Sequence, residues 1–145
     1  MQAIIVGGVA GGASCAARLR RLDEKAEILM VERGPYVSYA NCGLPYHIGG
    51  VIEKESSLLV ADENTFRSQF AIDVRTGCEA ITISPDKKTV ELRNVASGAV
   101  TTESYDKLVL SPGAASIRPQ LPGIDLPGIF YVGVHCIHRN LRGLC

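Results

Sequence analysis

Residues 2–12 read QAIIVGGVAGG: a short apolar run, two glycines, and two more glycines opening the next segment. The run Gln2–Val6 has the length and branched character of a buried strand, and Gly7-Gly8 closes it. Over 11–23, Gly12, Cys15, Ala16, Leu19 and Leu22 recur at i, i+3, i+4, i+7 and i+10, which predicts a helix with those positions on its buried face. Ser14, Arg18 and Arg21 lie on the opposite face. Residues 27–32, EILMVE, form a second buried strand. Strand, glycine turn, helix and strand within about 30 residues make one βαβ unit, and such a unit requires a parallel sheet.

The turn Gly7-Gly8-Val9-Ala10-Gly11-Gly12 follows a strand and opens a helix, the setting of a dinucleotide-binding turn. The usual pattern has glycine at its first, third and sixth positions, which here are Gly7, Val9 and Gly12. Gly7 permits the tight bend and Gly12 a close helix–strand approach, while amides at the helix start face a pyrophosphate. Glu32 closes the second strand about 20 residues beyond Gly12, where an acid accepts hydrogen bonds from ribose hydroxyls. An acid there disfavours a phosphorylated ribose, pointing to FAD or NAD rather than NADP. Its neighbour Arg33 reads as a solvated charge or a cofactor contact.

Beyond this unit, Asp62 or Asn64 caps a short helix running to about Gln69, and Ile72–Arg75 reads as another parallel strand. Three alternating stretches follow, 78–84, 88–94 and 99–105, separated by Pro85-Asp86 and Ser97-Gly98, which predicts an antiparallel meander. Lys107–Ser111 returns to a buried strand ending at Pro112-Gly113. Residues 33–57 carry no clear period.

That aperiodic segment holds SYANCGLPY, residues 38–46. Cys15 and Cys78 suit the role of small buried hydrophobes. Cys42 has polar or turn-forming flanks in Ser38, Asn41, Gly43 and Pro45, the setting of a reactive thiol. No second cysteine stands within the next seven residues, so Cys42 cycles as a sulfenic acid, a persulfide or a mixed disulfide with a small thiol. His47 is a polar contact or a helper to a thiolate.

The totals narrow the class. The 145 residues carry 15 Lys and Arg against 15 Asp and Glu, and 46% are apolar. Nothing basic marks a nucleic-acid or membrane partner. The N-terminal run lacks a basic flank and breaks at Gly7, unlike a signal peptide or a span. Five cysteines without paired spacing suggest reduced thiols in the cytoplasm. His135, Cys136 and His138, with Cys145, do not have tetrahedral zinc spacing, so no metal site is expected.

VGGVAGGASCAARLRRLDEKAEI (6–28), ERGPYVSYANCGLPYHIGG (32–50) and YDKLVLSPGA (105–114) resemble the FAD-dependent pyridine nucleotide-disulfide oxidoreductases. The resemblance is to the single-cysteine branch: coenzyme A-disulfide reductases, persulfide reductases and NADH oxidases. It implies a Rossmann-like FAD-binding domain, α/β, with a parallel sheet and a three-stranded antiparallel meander, over residues 1–130. Residues 131–145 are read as a tail outside the family.

By the same resemblance, Gly7, Val9 and Gly12 line the FAD pyrophosphate site and Glu32 binds its ribose, with Arg33 beside it. Ala80 approaches the adenine by its backbone, and Ser111-Pro112-Gly113 forms a second flavin-contact turn. Cys42 is the redox cysteine, with Asn41 and Ser38 flanking a substrate thiol. Ser14, Arg18 and Arg21 meet the ADP end of coenzyme A, against the plain alternative of a solvated helix face.

The expected partner is a small thiol or disulfide, with NADH as donor. Family members are homodimers that continue into an NADH domain, a return segment and a dimerisation domain. No second glycine turn follows Gly113, so this chain alone is expected to be inactive with NADH. Two rival readings are an NADH oxidase working through a Cys42 sulfenic acid, and a non-catalytic nucleotide-binding fragment.

Overall fold

A computed structural model of the chain describes residues 1–115, 117 and 119–129. The tail from Tyr131, with His135, Cys136, His138 and Cys145, lies outside the described residues. The described residues form two compact units, Met1–Tyr39 with Leu59–Gly113, and Ala40–Leu58 with those described from Ala114 on.

In the first unit, β1 (Gln2–Val6), α1 (Ala10–Leu22) and β2 (Glu27–Val31) form the expected βαβ unit. β1 pairs in parallel with β2, from Gln2 opposite Glu27 to Val6 opposite Val31. Past the segment 40–58 come α3 (Glu63–Phe70), β3 (Asp73–Arg75), β4 (Cys78–Ser84), β5 (Thr89–Asn94), β6 (Val100–Ser104) and β7 (Lys107–Leu110). β3, β2, β1 and β7 make a four-stranded parallel sheet in that order, and β4, β5 and β6 a separate antiparallel sheet.

The continuous apolar runs of β1 and β2 are explained by burial on both faces. Ile5, Ile28 and Met30 face the helices, packing with Ala13, Ala16, Val37, Phe66, Ile72 and Val74. Their alternates Ile4, Leu29 and Val31 face the meander, packing with Cys78, Val90 and Leu92. Period-two alternation thus divides one strand between two cores. Each such side chain contributes roughly 1.5–3 kcal/mol by leaving water.

α1 buries the expected face except at its last position. Gly12, Ala13 and Ala16 are buried, Cys15 and Leu19 are half-buried, and Leu22 is 67% exposed. Small residues line the contact because the helix lies close to the sheet, and the larger Leu22 falls on the last turn. Asp62 caps α3 by accepting from the Thr65 amide at 2.8 Å, and this bond holds its carboxyl below the usual range.

An unanticipated residue, Arg20, joins the ends of the two helices. Its guanidinium donates to the carbonyls of Glu24 and Phe70 at 2.7 Å and Ala71 at 2.8 Å. Carbonyls at a helix C-terminus lack intrahelical partners, and a guanidinium supplies several donors at once.

The second unit contains a 3-10 turn (Asn41–Gly43), α2 (Leu44–Ile48) and a 3-10 turn (Glu55–Leu58). Pro45 sits in the first turn of α2, where its missing N–H costs nothing. The Ala40 amide donates to the Leu58 carbonyl at 2.7 Å, and Leu44 and Leu58 are buried.

The tightest point of the first unit is Gly12, where an added Cβ would stand 1.7 Å from the Gly7 carbonyl oxygen. Substitution Gly12→Ala is expected to destabilise the chain by about 3 kcal/mol, the upper range for overpacking. The urea unfolding midpoint reads this directly, and an unchanged midpoint would contradict the packing described.

Candidate functional site

Three strand ends and one helix start converge at the turn after β1. Gly7 has φ +94°, a conformation side chains rarely adopt, and its amide donates to Val31 at 2.8 Å. A Cβ on Gly7 would lie 2.0 Å from the Ser111 carbonyl oxygen. Ser111, just past β7, donates its amide to the Val6 carbonyl at 2.8 Å. Its hydroxyl is shared between the carbonyls of Val6 (3.0 Å) and Gly7 (3.2 Å). The sequence-predicted Gly7, Gly12 and Ser111 are therefore one packed cluster, and Gly113 (φ +73°) follows two residues later.

Val9 occupies the N-cap of α1, and no side chain caps the helix. No acid stands in the first turn either. The first amides of a helix have no intrahelical partner and carry the positive end of its dipole. Among the described residues no side chain caps these amides, so the start of α1 is suited to an anion.

Glu32 lies at the end of β2, half-buried. One carboxylate oxygen accepts from the Gly8 amide at 2.8 Å and the other from the Gly34 amide at 2.8 Å. Its backbone is equally engaged, donating to Arg75 and accepting from Cys78, each at 3.0 Å. That last bond ties the start of β4, two residues before Ala80, to the end of β2. Ala80 pairs with Leu92 where a register shift interrupts β4 before Thr82. Arg33 is an exposed side chain lying 3.7 Å from Glu79, which Arg93 holds at 2.6 Å. These ion pairs keep the Glu79 carboxyl below its usual range, with the Arg93 hydrogen bond foremost.

Ser14, Arg18 and Arg21 form an exposed stripe on α1. Ser38 has φ +48°, costing roughly 1 kcal/mol for a non-glycine residue. Three backbone bonds hold it there: its amide donates to Gly8 (2.8 Å) and its carbonyl accepts from Val60 (2.9 Å) and Ala61 (3.3 Å).

Tyr39, next along, is 5% exposed, and its hydroxyl has no hydrogen-bond partner in the protein. Burial, and then the Glu32 charge, push its phenol above the usual value. Nothing in the sequence around Tyr39 shows whether its hydroxyl finds a partner, so this orphaned hydroxyl had no signal.

In the second unit, Asn41 and Cys42 are exposed on the 3-10 turn that leads into α2. His47 Nδ1 lies 2.8 Å from the Ile52 carbonyl, a local polar contact. Cys78 is buried, and burial raises its thiol pKa, opposed by the nearby Arg75 charge and aided by Glu103. Cys15 is half-buried. Among the described residues no group of His, Cys, Asp and Glu is arranged to hold a metal, and no helix is long and apolar enough to cross a membrane.

The chain matches the model of the pyridine nucleotide-disulphide oxidoreductase family over residues 1–140. A coenzyme A disulfide reductase of Staphylococcus epidermidis is 46% identical over 115 residues, 79% of this chain and 26% of that protein. The crystal structure of reduced Bacillus anthracis CoADR-RHD superposes with a TM-score of 0.82 at 52% identity, covering 85% of this chain and 22% of the other. The structure of an NAD-dependent persulfide reductase from A. fulgidus gives 0.82 at 38% identity, covering 88% and 24%. The chain thus spans about a quarter of the length of the relatives it matches.

Two outcomes follow from the site. Iodoacetamide is expected to alkylate Cys42 well before Cys78, read by peptide mass spectrometry; equal labelling of the two would contradict their different exposure. Substitution Tyr39→Phe removes an unsatisfied buried hydroxyl and is expected to leave stability unchanged or raise it by up to about 1–2 kcal/mol at neutral pH. Because the folded phenol pKa is raised, the wild-type chain loses stability through this group as pH rises above the unfolded value near 10, and the Phe variant does not. Cys78 adds its own alkaline loss, so the readout is the wild-type-minus-variant difference, which should widen above about pH 10.

Proposed function

The chain belongs to the flavin-dependent pyridine nucleotide-disulphide oxidoreductases, and from that premise we propose that residues 1–130 are the FAD-binding portion of an NADH-dependent coenzyme A-disulfide or persulfide reductase. The observation that carries this reading is the start of α1: a helix N-terminus without side-chain cap or acid, set on a glycine cradle that leaves no room for a Cβ.

The residues present fit the cofactor. Gly7, Val9 and Gly12 shape the surface that a pyrophosphate meets, and amides at the start of α1 hold it against the dipole. Glu32 spends two lone-pair positions on backbone amides, and a carboxylate has about four, so acceptors remain for ribose hydroxyls. Ala80 supplies backbone groups at a break in the β4 ladder for an adenine edge. Ser111 and Gly113 form the second contact turn, and Arg33 flanks the adenosine end.

Cys42 is the redox residue in this reading. Its thiolate attacks one sulfur of a coenzyme A disulfide, forming a Cys42–S–S–CoA bond and expelling the other coenzyme A as a thiolate. FAD held at this turn, with NADH as donor, would supply the electron pair for reducing the mixed disulfide, and Cys42 would return to the thiolate as the second coenzyme A leaves. Asn41 and Ser38 orient the substrate sulfur, and Ser14, Arg18 and Arg21 receive the charged ADP end of coenzyme A. The arginines act there as phosphate partners.

The test uses the 145-residue chain. Refolded with excess FAD and desalted, it should keep a flavin absorption band. Incubated with coenzyme A disulfide, it should gain one coenzyme A on Cys42, removable by dithiothreitol and missing in Cys42→Ser. Loss of all flavin on desalting would favour the non-catalytic fragment. An oxidised Cys42 carrying a single added oxygen, with no coenzyme A adduct, would favour the oxidase.

A further inference from the structure

Glu32 is read above as the acid that meets a ribose, yet in this structure its carboxylate is already at work. Its two oxygens accept from Gly8 and Gly34, each at 2.8 Å, and these amides come from different segments. Gly8 is held from its other side too, because its carbonyl accepts from the Ser38 amide at 2.8 Å. A Cβ on Gly8 would lie 2.7 Å from Val37 Cγ1 and 3.3 Å from Glu32 Cβ, so the loop 32–38 closes tightly over this residue.

A trans peptide is planar, with C=O and the next N–H on opposite sides. Directing the Gly8 carbonyl at Ser38 therefore directs the Val9 N–H away from the loop. The orientation of the turn is set by Gly8, and Glu32 is the only side chain that hydrogen-bonds to Gly8 among the described residues.

We propose that Glu32 is a positioning residue for the diphosphate cradle, acting through the Gly8 amide, in addition to accepting from a ribose. This rests on the nucleotide reading of the turn. The two roles make opposite predictions for a diphosphate ligand without ribose hydroxyls. If Glu32 served the ribose alone, removing its charge would leave such a polyanionic ligand unaffected or bind it more tightly, since like charges repel. If Glu32 holds the turn, the same change weakens binding despite the relieved repulsion.

The experiment measures ADP and 2′,3′-dideoxyadenosine diphosphate binding to the wild-type chain and to Glu32→Gln. It adds amide hydrogen exchange at Gly8 and Gly34 without ligand. In Glu32→Gln one side-chain oxygen becomes an NH2 that cannot accept from a backbone N–H. Both ligands are expected to weaken by roughly tenfold, the scale for losing a hydrogen bond to a charged group. Exchange at Gly8 or Gly34 should accelerate.

Unchanged or tighter binding of the dideoxy ligand, with ADP alone weakened, would overturn the proposal. Should Glu32→Gln not fold, Glu32→Asp replaces it, because the shorter carboxylate keeps its charge but cannot span both amides. It should then weaken both ligands, ADP at least as much as the dideoxy ligand, and weakening of ADP alone would again refute the brace. Failure of wild type to bind either ligand would instead remove the nucleotide reading, and amide exchange would decide the brace by itself.

Discussion

No atom fits between Gly12 and the carbonyl of Gly7, where a Cβ would sit at 1.7 Å, or between Gly7 and the carbonyl of Ser111, at 2.0 Å. This steric limit draws helix α1 onto the end of β1 and β1 onto the end of β7. Once they touch, the Ser111 amide and hydroxyl find the Val6 and Gly7 carbonyls, and the amides at the helix start stand where two strands terminate. Glycine is needed here for space at position 12, and for both space and a positive φ at position 7. Valine stands at position 9, the N-cap, where a φ of −86° lies outside the left-handed region that favours glycine.

The same edge is tied laterally by the backbone of Glu32 and its neighbours. Glu32 bonds to Arg75 and Cys78, and Gly77 to Gly34, so β3 and β4 begin and end against the β2 terminus. The parallel sheet gains a meander on one face and two helices on the other, and burial of alternate side chains from β1 and β2 in the two cores sets both registers at once. A one-residue slip would exchange Ile4 with Ile5 and Leu29 with Met30 between cores of different shape.

Much of this was legible in the chain. Apolar runs, turn glycines and alternation placed every strand among the described residues to within a residue or so, along with the parallel sheet and the antiparallel meander. The Asp62 cap was legible because capping is local in sequence. The errors came where tertiary contacts decide. Leu22 fits the helical period but falls beyond the sheet and is exposed. Arg20 looks like Arg18 and Arg21 in the sequence, and only the approach of α3 gives it carbonyls to hold. Residues 41–48 and 55–58 form short helical turns too brief to show a period.

The sequence by itself determined the order of the strands with α1 and α3, the glycine turn with its acid, and Cys42 with no close partner. These are matters of side-chain period, conformational freedom and spacing, all carried by neighbours along the chain. The tertiary structure decided what the polar atoms do. It set both oxygens of Glu32 on backbone amides from separate segments, left the Tyr39 hydroxyl buried without a partner, and held Ser38 in a left-handed conformation with three backbone bonds. Hydrogen-bond partners far apart in sequence are chosen by which strand ends the packed core brings together, and no local pattern encodes that choice.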